Sequence, residues 1–319
     1  MKTPIFLFSL PRSGSTLLQK LLMSHEQIAS IPEPWILLPA VYQTRLVGQL
    51  SEFNHITCRA ALKDMIEHLD NGEETYYQYL AGFVMQIYSD LCKNNELYFL
   101  DKTPRYYLII PEIARMFPDA KFIFLFRNPL QIYSSLLQTF GKNSFWHSYP
   151  YHIDLHDGQE LLTNGYICFK DRSIAINYEN LVTSPDVHIN RLLEYLDLET
   201  PLNKSYGLVD QELDGKMGDK SAKKNIDSDS LMKWKSTFNS PVRKRIIKSY
   251  IQSLSGQLLE VQGYKKDSLL EELDKIKGGC NIVCLMDLVQ YIAGIFIRKF
   301  NVNLVLSRHY RWTRKKYML

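Results

Sequence analysis

Residues 5–18 read Ile5-Phe6-Leu7-Phe8-Ser9-Leu10-Pro11-Arg12-Ser13-Gly14-Ser15-Thr16-Leu17-Leu18, an apolar run that enters a Gly-containing turn and then an amphipathic helix. A strand with apolar side chains in both phases belongs in the middle of a parallel sheet, covered by helices on each face. At such a strand–turn–helix junction, successive backbone N–H groups and the positive helix end converge on one point, which makes an anion site. Gly14 permits close backbone approach, Ser13, Ser15 and Thr16 offer hydroxyl donors, and Arg12 adds a charged fork. A helix capped by Ser15 and holding no ligand would use the same residues. The turn has one Gly and no Lys, so it is not the GxxxxGK[ST] loop, and it suits a smaller anion than a triphosphate with Mg²⁺. Ordinary ATP or GTP hydrolysis loses weight accordingly.

Downstream the pattern repeats. Short β-rich runs at 97–100, 121–126 and 173–178 are followed by helical patterns at 104–116, 129–140 and 185–196. Alternation of this kind predicts an α/β fold with a central parallel sheet and helices on both faces, a three-layer architecture. A largely helical insertion, residues 36–91, lies between the first and second units. Residues 204–230, rich in Gly, Asp, Lys and Ser, predict a long loop. Helical patterning resumes at Pro241, and Gly278-Gly279 sets off the final segment.

The chain has 319 residues, 45% of them hydrophobic and 23% charged, the composition of an ordinary globular protein rather than a disordered or collagen-like one. Its net charge of +4 is an average over two unlike parts. Residues 288–319 hold seven basic side chains (Arg298, Lys299, Arg308, Arg311, Arg314, Lys315, Lys316) and no acidic one, leaving a body with 31 basic and 34 acidic residues. The five cysteines show no metal-like pairing beyond Cys280/Cys284, a spacing that equally suits one helix face, and this predicts reduced thiols in a cytoplasmic setting. Pro11-Arg12 interrupts the N-terminal apolar run well short of a secretory signal, and the longest apolar stretch, 282–297, contains Asp287 and Gln290 and falls below the ~20 residues of a membrane span.

Residues 11–18 resemble the 5′-phosphosulfate-binding loop of sulfotransferases that use 3′-phosphoadenosine 5′-phosphosulfate (PAPS), in its Arg-bearing form. Further elements of that family follow in order. Arg127 ends the 121–126 strand pattern, and Ser135, eight residues on, lies about two turns into the next helix; together they are similar to the family's 3′-phosphate-binding pair. A dianionic phosphate calls for an Arg and a hydroxyl, and the ends of parallel strands are where α/β folds bind ligands. Tyr178, in Ile174-Ala175-Ile176-Asn177-Tyr178-Glu179, resembles the tyrosine placed against the adenine, with plain core packing as the alternative. Trp234 resembles a late family Trp whose role is packing.

Sulfuryl transfer needs a base for the acceptor hydroxyl and a positive group for the departing phosphate oxygen. Glu33, in Ile31-Pro32-Glu33-Pro34-Trp35, resembles by position the catalytic Glu of tyrosylprotein and related carbohydrate sulfotransferases, and the flanking prolines restrict its backbone. A Glu of ordinary pKa, ~4.3, is a weak base, so this role predicts a partly desolvated carboxylate. Lys102, in Asp101-Lys102-Thr103-Pro104, matches the Lys-bearing segment and is the candidate to bridge sulfate and leaving oxygen, with Arg12 sharing the task and Asp101 or Thr103 orienting the loop. An exposed loop Glu and a surface Asp–Lys pair are the alternatives.

Two family features are missing: the catalytic His of cytosolic small-molecule members and the C-terminal Arg-Lys-Gly element. For the latter charge, Gly218-Asp219-Lys220 and Lys223-Lys224 stand in the corresponding loop, Lys220 first among them. The resemblance covers residues 1–240 and implies a P-loop-like transferase domain over 1–265 that uses PAPS as co-substrate and no metal, with 266–319 a helical basic extension. The aromatics Trp35, Tyr42, Phe145, Trp146, His147, Tyr149 and Tyr151 suit stacking on a sugar ring and equally suit packing. The implied acceptor is a carbohydrate or glycolipid hydroxyl of the bacterial type, with another natural product next; a P-loop-like nucleotide kinase and a non-catalytic membrane-surface protein are the rivals. The tail, with Tyr310, Trp312 and Tyr317 among its basic groups, resembles an interfacial segment drawn to anionic lipid, each cation worth ~1 kcal/mol near the surface; a packed helix with a solvated end is the alternative. No nucleic-acid-binding motif is present, so nucleic acid is not expected as a partner.

Overall fold

The computed structural model describes residues 2–46, 48, 53–141, 143–145, 149–199, 231–279 and 282–300. Five strands, β1 (Thr3–Ser9), β2 (Ile28–Ser30), β3 (Tyr98–Asp101), β4 (Lys121–Phe126) and β5 (Ser173–Asn177), form one sheet in the order β2-β3-β1-β4-β5. Every neighbouring pair is parallel, with Phe6 opposite Asp101 on one side of β1 and Ile5 opposite Lys121 on the other. The α/β fold with a central parallel sheet is therefore as the alternation of patterns predicts.

The apolar run in β1 divides by phase. Phe6 and Phe8 join Phe99, Phe122, Phe124 and Phe126 in the larger core on one face of the sheet, where rings of Phe8 and Phe122 meet edge-on at 5.1 Å. Ile5 and Leu7 join Leu100, Ile123, Leu125 and Ile176 in an aliphatic core on the other face, under the first helix, Ser15–Met23. Period-two alternation of side chains thus places aromatics in one layer and branched aliphatics in the other.

Between β2 and β3 the described residues hold three helices, Leu37–Tyr42, His55–Glu67 and Glu73–Leu91. The pattern at 104–116 divides into a 3₁₀ turn, Tyr106–Leu108, and a helix, Ile110–Met116, because Pro111 offers no N–H to continue the earlier turn. Packing continues beyond residue 265, since Leu269 and Leu273 of the Lys266–Asp274 helix belong to the larger core. The loop 204–230, with Lys220, and the tail 301–319 lie outside the described residues, as do Trp146 and His147.

All strands run the same way, so their C-terminal ends share one edge. Residues 10–14 leave β1 there, Glu33 follows β2, Lys102 follows β3, Arg127 follows β4 and Tyr178 follows β5. Five segments far apart in sequence are brought to the crevice where parallel sheets place ligands.

Candidate functional site

The turn after β1 is tight and left-handed. Arg12 has φ 69° and Gly14 has φ 89°, and the Ser13 N–H donates to the Leu10 carbonyl at 3.2 Å. Gly14, not Ser15, occupies the N-cap position and caps without a side chain. The reason is spatial as well as torsional: a Cβ on Gly14 would come within 2.3 Å of the Tyr178 ring. Ser13 Oγ is buried and has no hydrogen-bond partner among the described residues. A buried hydroxyl held beside a helix start in this way fits an anionic oxygen.

The turn is tied to the end of β4. Arg12 Nε donates to Ser135 Oγ at 3.1 Å, and Arg127 donates from Nη1 to the Arg12 carbonyl at 2.9 Å and from Nε to Gln131 Oε1 at 3.0 Å. The Arg127 guanidinium lies over the Tyr178 ring, 4.0 Å from its centroid. Burial, with a smaller push from Arg12, lowers the Arg127 pKa, against the pull of Tyr178 and Glu179. Among the described residues no carboxylate reaches ion-pair distance of Arg127. A buried guanidinium with a half-buried one beside it is stabilised by a polyanion.

Glu179 holds this corner from outside, and neither periodicity nor motif pointed to that role. Its carboxylate accepts from the Asn128 N–H at 3.0 Å and from the Tyr264 hydroxyl at 2.7 Å. Tyr178 sits between Gly14 and Arg127 and is buried. Trp234 is buried in the larger core, in line with its packing role.

A second group assembles at β2 and β3. Lys102 Nζ donates to Glu33 Oε1 at 2.9 Å and to Thr16 Oγ1, in the first turn of the helix after the anion loop, at 3.5 Å. The side chains are 1% and 11% exposed respectively, so both charges are largely withdrawn from water. Glu33 Oε2 accepts from the Trp35 indole N–H at 3.2 Å. The Trp35 backbone N–H in turn donates to Thr103 Oγ1, and Thr103 donates to Asp101. Glu33 and Trp35 both have positive φ, 23° and 55°, a conformation costly for residues with a Cβ and held here by those bonds and by Pro32 and Pro34. Thr103 thus orients the Glu33 loop through Trp35.

Asp101 anchors this group. It is fully buried and accepts hydroxyl bonds from Tyr88, Thr103 and Tyr106. Burial pushes its carboxyl up from 3.8 to about 6, against the opposing pull of those hydroxyls and of Lys102. The folded protein therefore binds the Asp101 proton more tightly than the unfolded chain does. Its contribution to stability is full below about pH 4 and is lost as pH rises through 6. Asp101→Asn removes that dependence. From pH 4 to pH 7 the stability of the variant relative to the parent should rise by up to about 3 kcal/mol in urea unfolding. A difference independent of pH would show that the carboxyl titrates normally.

On the other side of the mouth, Phe140 stacks on Tyr151 at 4.9 Å and lies 5.7 Å from the Arg12 guanidinium. Arg105 makes a bidentate pair with buried Asp154, which also accepts from Tyr107. Nothing in the sequence singled out Asp154. Among the described residues no group of three or more His, Cys, Asp or Glu side chains could hold a metal ion.

A model of the sulfotransferase family matches residues 4–201. The nodulation protein NoeE of Sinorhizobium fredii is 32% identical over 143 residues, 43% of this chain and 31% of that protein. Protein-tyrosine sulfotransferase 1 of Danio rerio is 24% identical over 226 residues, 69% of this chain and 59% of that one. The chain thus spans less than two thirds of either relative. Among solved structures, a sulfotransferase from Alicyclobacillus acidocaldarius shares the fold, with TM-score 0.51 at 11% identity over 84% of this chain and 99% of that chain.

Proposed function

The chain belongs to the sulfotransferase family, and from that premise we propose that it moves the sulfuryl group of PAPS to a hydroxyl of a saccharide or glycolipid. One observation carries the chemistry: the Lys102 ammonium touches both Thr16 on the anion-loop helix and Glu33. A group held between loop and carboxylate would have a cation on its leaving side and a base on its attacking side. The residues fit the donor. Arg12, Ser13, Gly14, Ser15 and Thr16 hold the 5′-phosphosulfate, Arg127 and Ser135 hold the 3′-phosphate, and Tyr178 stands against the adenine. Lys220 is assigned to the 3′-phosphate as well, on the family resemblance alone.

In the reaction, Glu33 takes the proton of the acceptor hydroxyl as its oxygen forms a bond to sulfur. The bond from sulfur to the phosphate oxygen breaks in line, and the charge left on that oxygen is met by Lys102 and Arg12. Adenosine 3′,5′-bisphosphate leaves with the electron pair, and the sulfate ester is the other product. Trp35 beside the base and the Phe140–Tyr151 pair beside Arg12 form aromatic walls, which supports a sugar ring as the acceptor. The similarity to the Danio rerio enzyme favours a second reading, a protein tyrosine acceptor. We place the reaction in a reducing compartment, in keeping with the free thiols of Cys58, Cys92 and Cys168.

Calorimetric titration with adenosine 3′,5′-bisphosphate beside ATP–Mg²⁺ tests the donor. Tight binding of the bisphosphate with weak binding of ATP is expected, and the opposite order would turn the assignment to a kinase. A panel of saccharides and tyrosine peptides with labelled PAPS then separates the two acceptors.

A further inference from the structure

The helix Ile282–Lys299 is amphipathic with its faces reversed. A surface helix of a globular protein ordinarily turns its apolar stripe inward and its charges to water. Here Asp287 is buried in a bidentate ion pair with Arg243, at 2.7 and 3.1 Å. One turn on, Gln290 accepts from Ser144 at 2.7 Å, and the Tyr291 ring meets Phe145 edge-on at 5.9 Å. Gly294 continues this inner face. The opposite face carries Leu285, Leu288, Val289, Ile292, Ile295 and Phe296, each between 41% and 65% exposed. Spacings of three and four residues put these six on one continuous stripe.

The inner face is fixed by its polar groups, because turning Asp287 outward would strand the buried Arg243. The apolar stripe is therefore presented outward as a consequence of how the helix is held. No helix among the described residues is long and apolar enough to cross a membrane. Directly after the stripe come Arg298, Lys299, Arg308, Arg311, Arg314, Lys315 and Lys316, with Tyr310, Trp312 and Tyr317 among them and no acidic residue from 288 onward. A second copy of the same segment would bring no acidic partner for that charge, since its acidic residues end at Asp287. A surface of anionic phospholipid takes both halves, acyl chains against the stripe and headgroups against the cations.

We infer that the outward stripe of Ile282–Lys299 docks the protein on a lipid surface, and the basic sequence that follows it makes anionic lipid the occupant. The helix itself is held near the site by its inner face: Ser144 and Phe145, which it packs on, follow within a few residues of Phe140, whose ring faces Arg12. Under the sulfotransferase reading, on which this part rests, docking keeps the enzyme at a surface that carries its acceptor, a sugar borne on a lipid.

The test is co-sedimentation of the full chain with vesicles of phosphatidylcholine, alone or mixed with phosphatidylglycerol. The expected result is binding to the mixed vesicles that weakens with added salt. Partition should drop at least about tenfold in the variant Ile292→Glu/Phe296→Glu, which places two charges on the stripe without touching the body. Binding of adenosine 3′,5′-bisphosphate, measured on the same samples, should be unchanged and reports that the variant is folded. No preference for the anionic vesicles, or equal partition of parent and variant, overturns the docking. So does a parent that is dimeric, ignores vesicles and becomes monomeric in the variant, since the stripe is then an interface between copies. A chain that binds vesicles and not the bisphosphate keeps the docking and loses the sulfotransferase reading; the reverse result loses the docking alone.

Discussion

Glu33→Gln is expected to lower the rate of sulfuryl transfer by about 10²–10⁴ while leaving the affinity for adenosine 3′,5′-bisphosphate within a few-fold of the parent. The substitution removes the oxygen able to take a proton and preserves volume, so the positive-φ turn at 33–35 is not relieved. Glu33 stands on the loop after β2 and touches neither the anion turn nor Arg127, which is why donor affinity is the internal control. The amide still accepts one bond and can keep either Lys102 or Trp35 in place. Transfer is measured with labelled PAPS and whichever member of the acceptor panel the parent sulfates. Unchanged product formation with intact donor binding would falsify the assignment of Glu33 as base.

The parallel sheet was legible because β1 and β4 are apolar in both phases and four of the five strands are followed by a helical pattern, whereas β2, three residues with one of them buried, carries little pattern of its own. Lys102 and Arg127 were singled out by their resemblance to family motifs, and in the fold they and Arg12 follow strands that end at one edge. Placement of the N-cap at Gly14 rather than Ser15 was not legible, because it depends on the Tyr178 ring, which is more than 150 residues away in sequence and meets Gly14 only in the folded sheet. Nor were the supports of the site. Tyr88 lies within a helix pattern that reads as an ordinary amphipathic one, and Asp154 lies in an aromatic-rich stretch with no motif. Their roles come from contacts with Asp101 and Arg105 across the fold. Periodicity reports which face of an element is buried, and it carries no information on which buried polar group another element supplies.

The reversed helix illustrates the same limit from the other side. Its sequence reads equally as a packed C-terminal helix or an interfacial one. What separates these is the partner of Asp287, because a carboxylate facing outward would leave the apolar stripe to the core. Arg243, in the helix Pro241–Ser253, settles the orientation through two bonds to that carboxylate, and its other bonds go to the Asn143 side chain and to the carbonyls of Asn143 and Thr237.

Lys102→Ala should cost about 10²–10³ in rate, comparable to removing one charge-stabilising donor at a reacting oxygen. The loss belongs chiefly in kcat, because Lys102 is assigned to the charge that develops on the departing oxygen, between Thr16 and Glu33. Lys102→Arg is not expected to rescue, because a planar fork does not replace a compact ammonium at a buried position. The more discriminating experiment is the double variant Glu33→Gln/Lys102→Ala. If cation and base act on the same transferring group, removing one makes the other largely useless, and the double variant should be little worse than the poorer single one. Rate losses that multiply would mean that Lys102 and Glu33 serve separate steps, and the picture of a sulfuryl group passing between them would have to be abandoned, even though their side chains are only 2.9 Å apart.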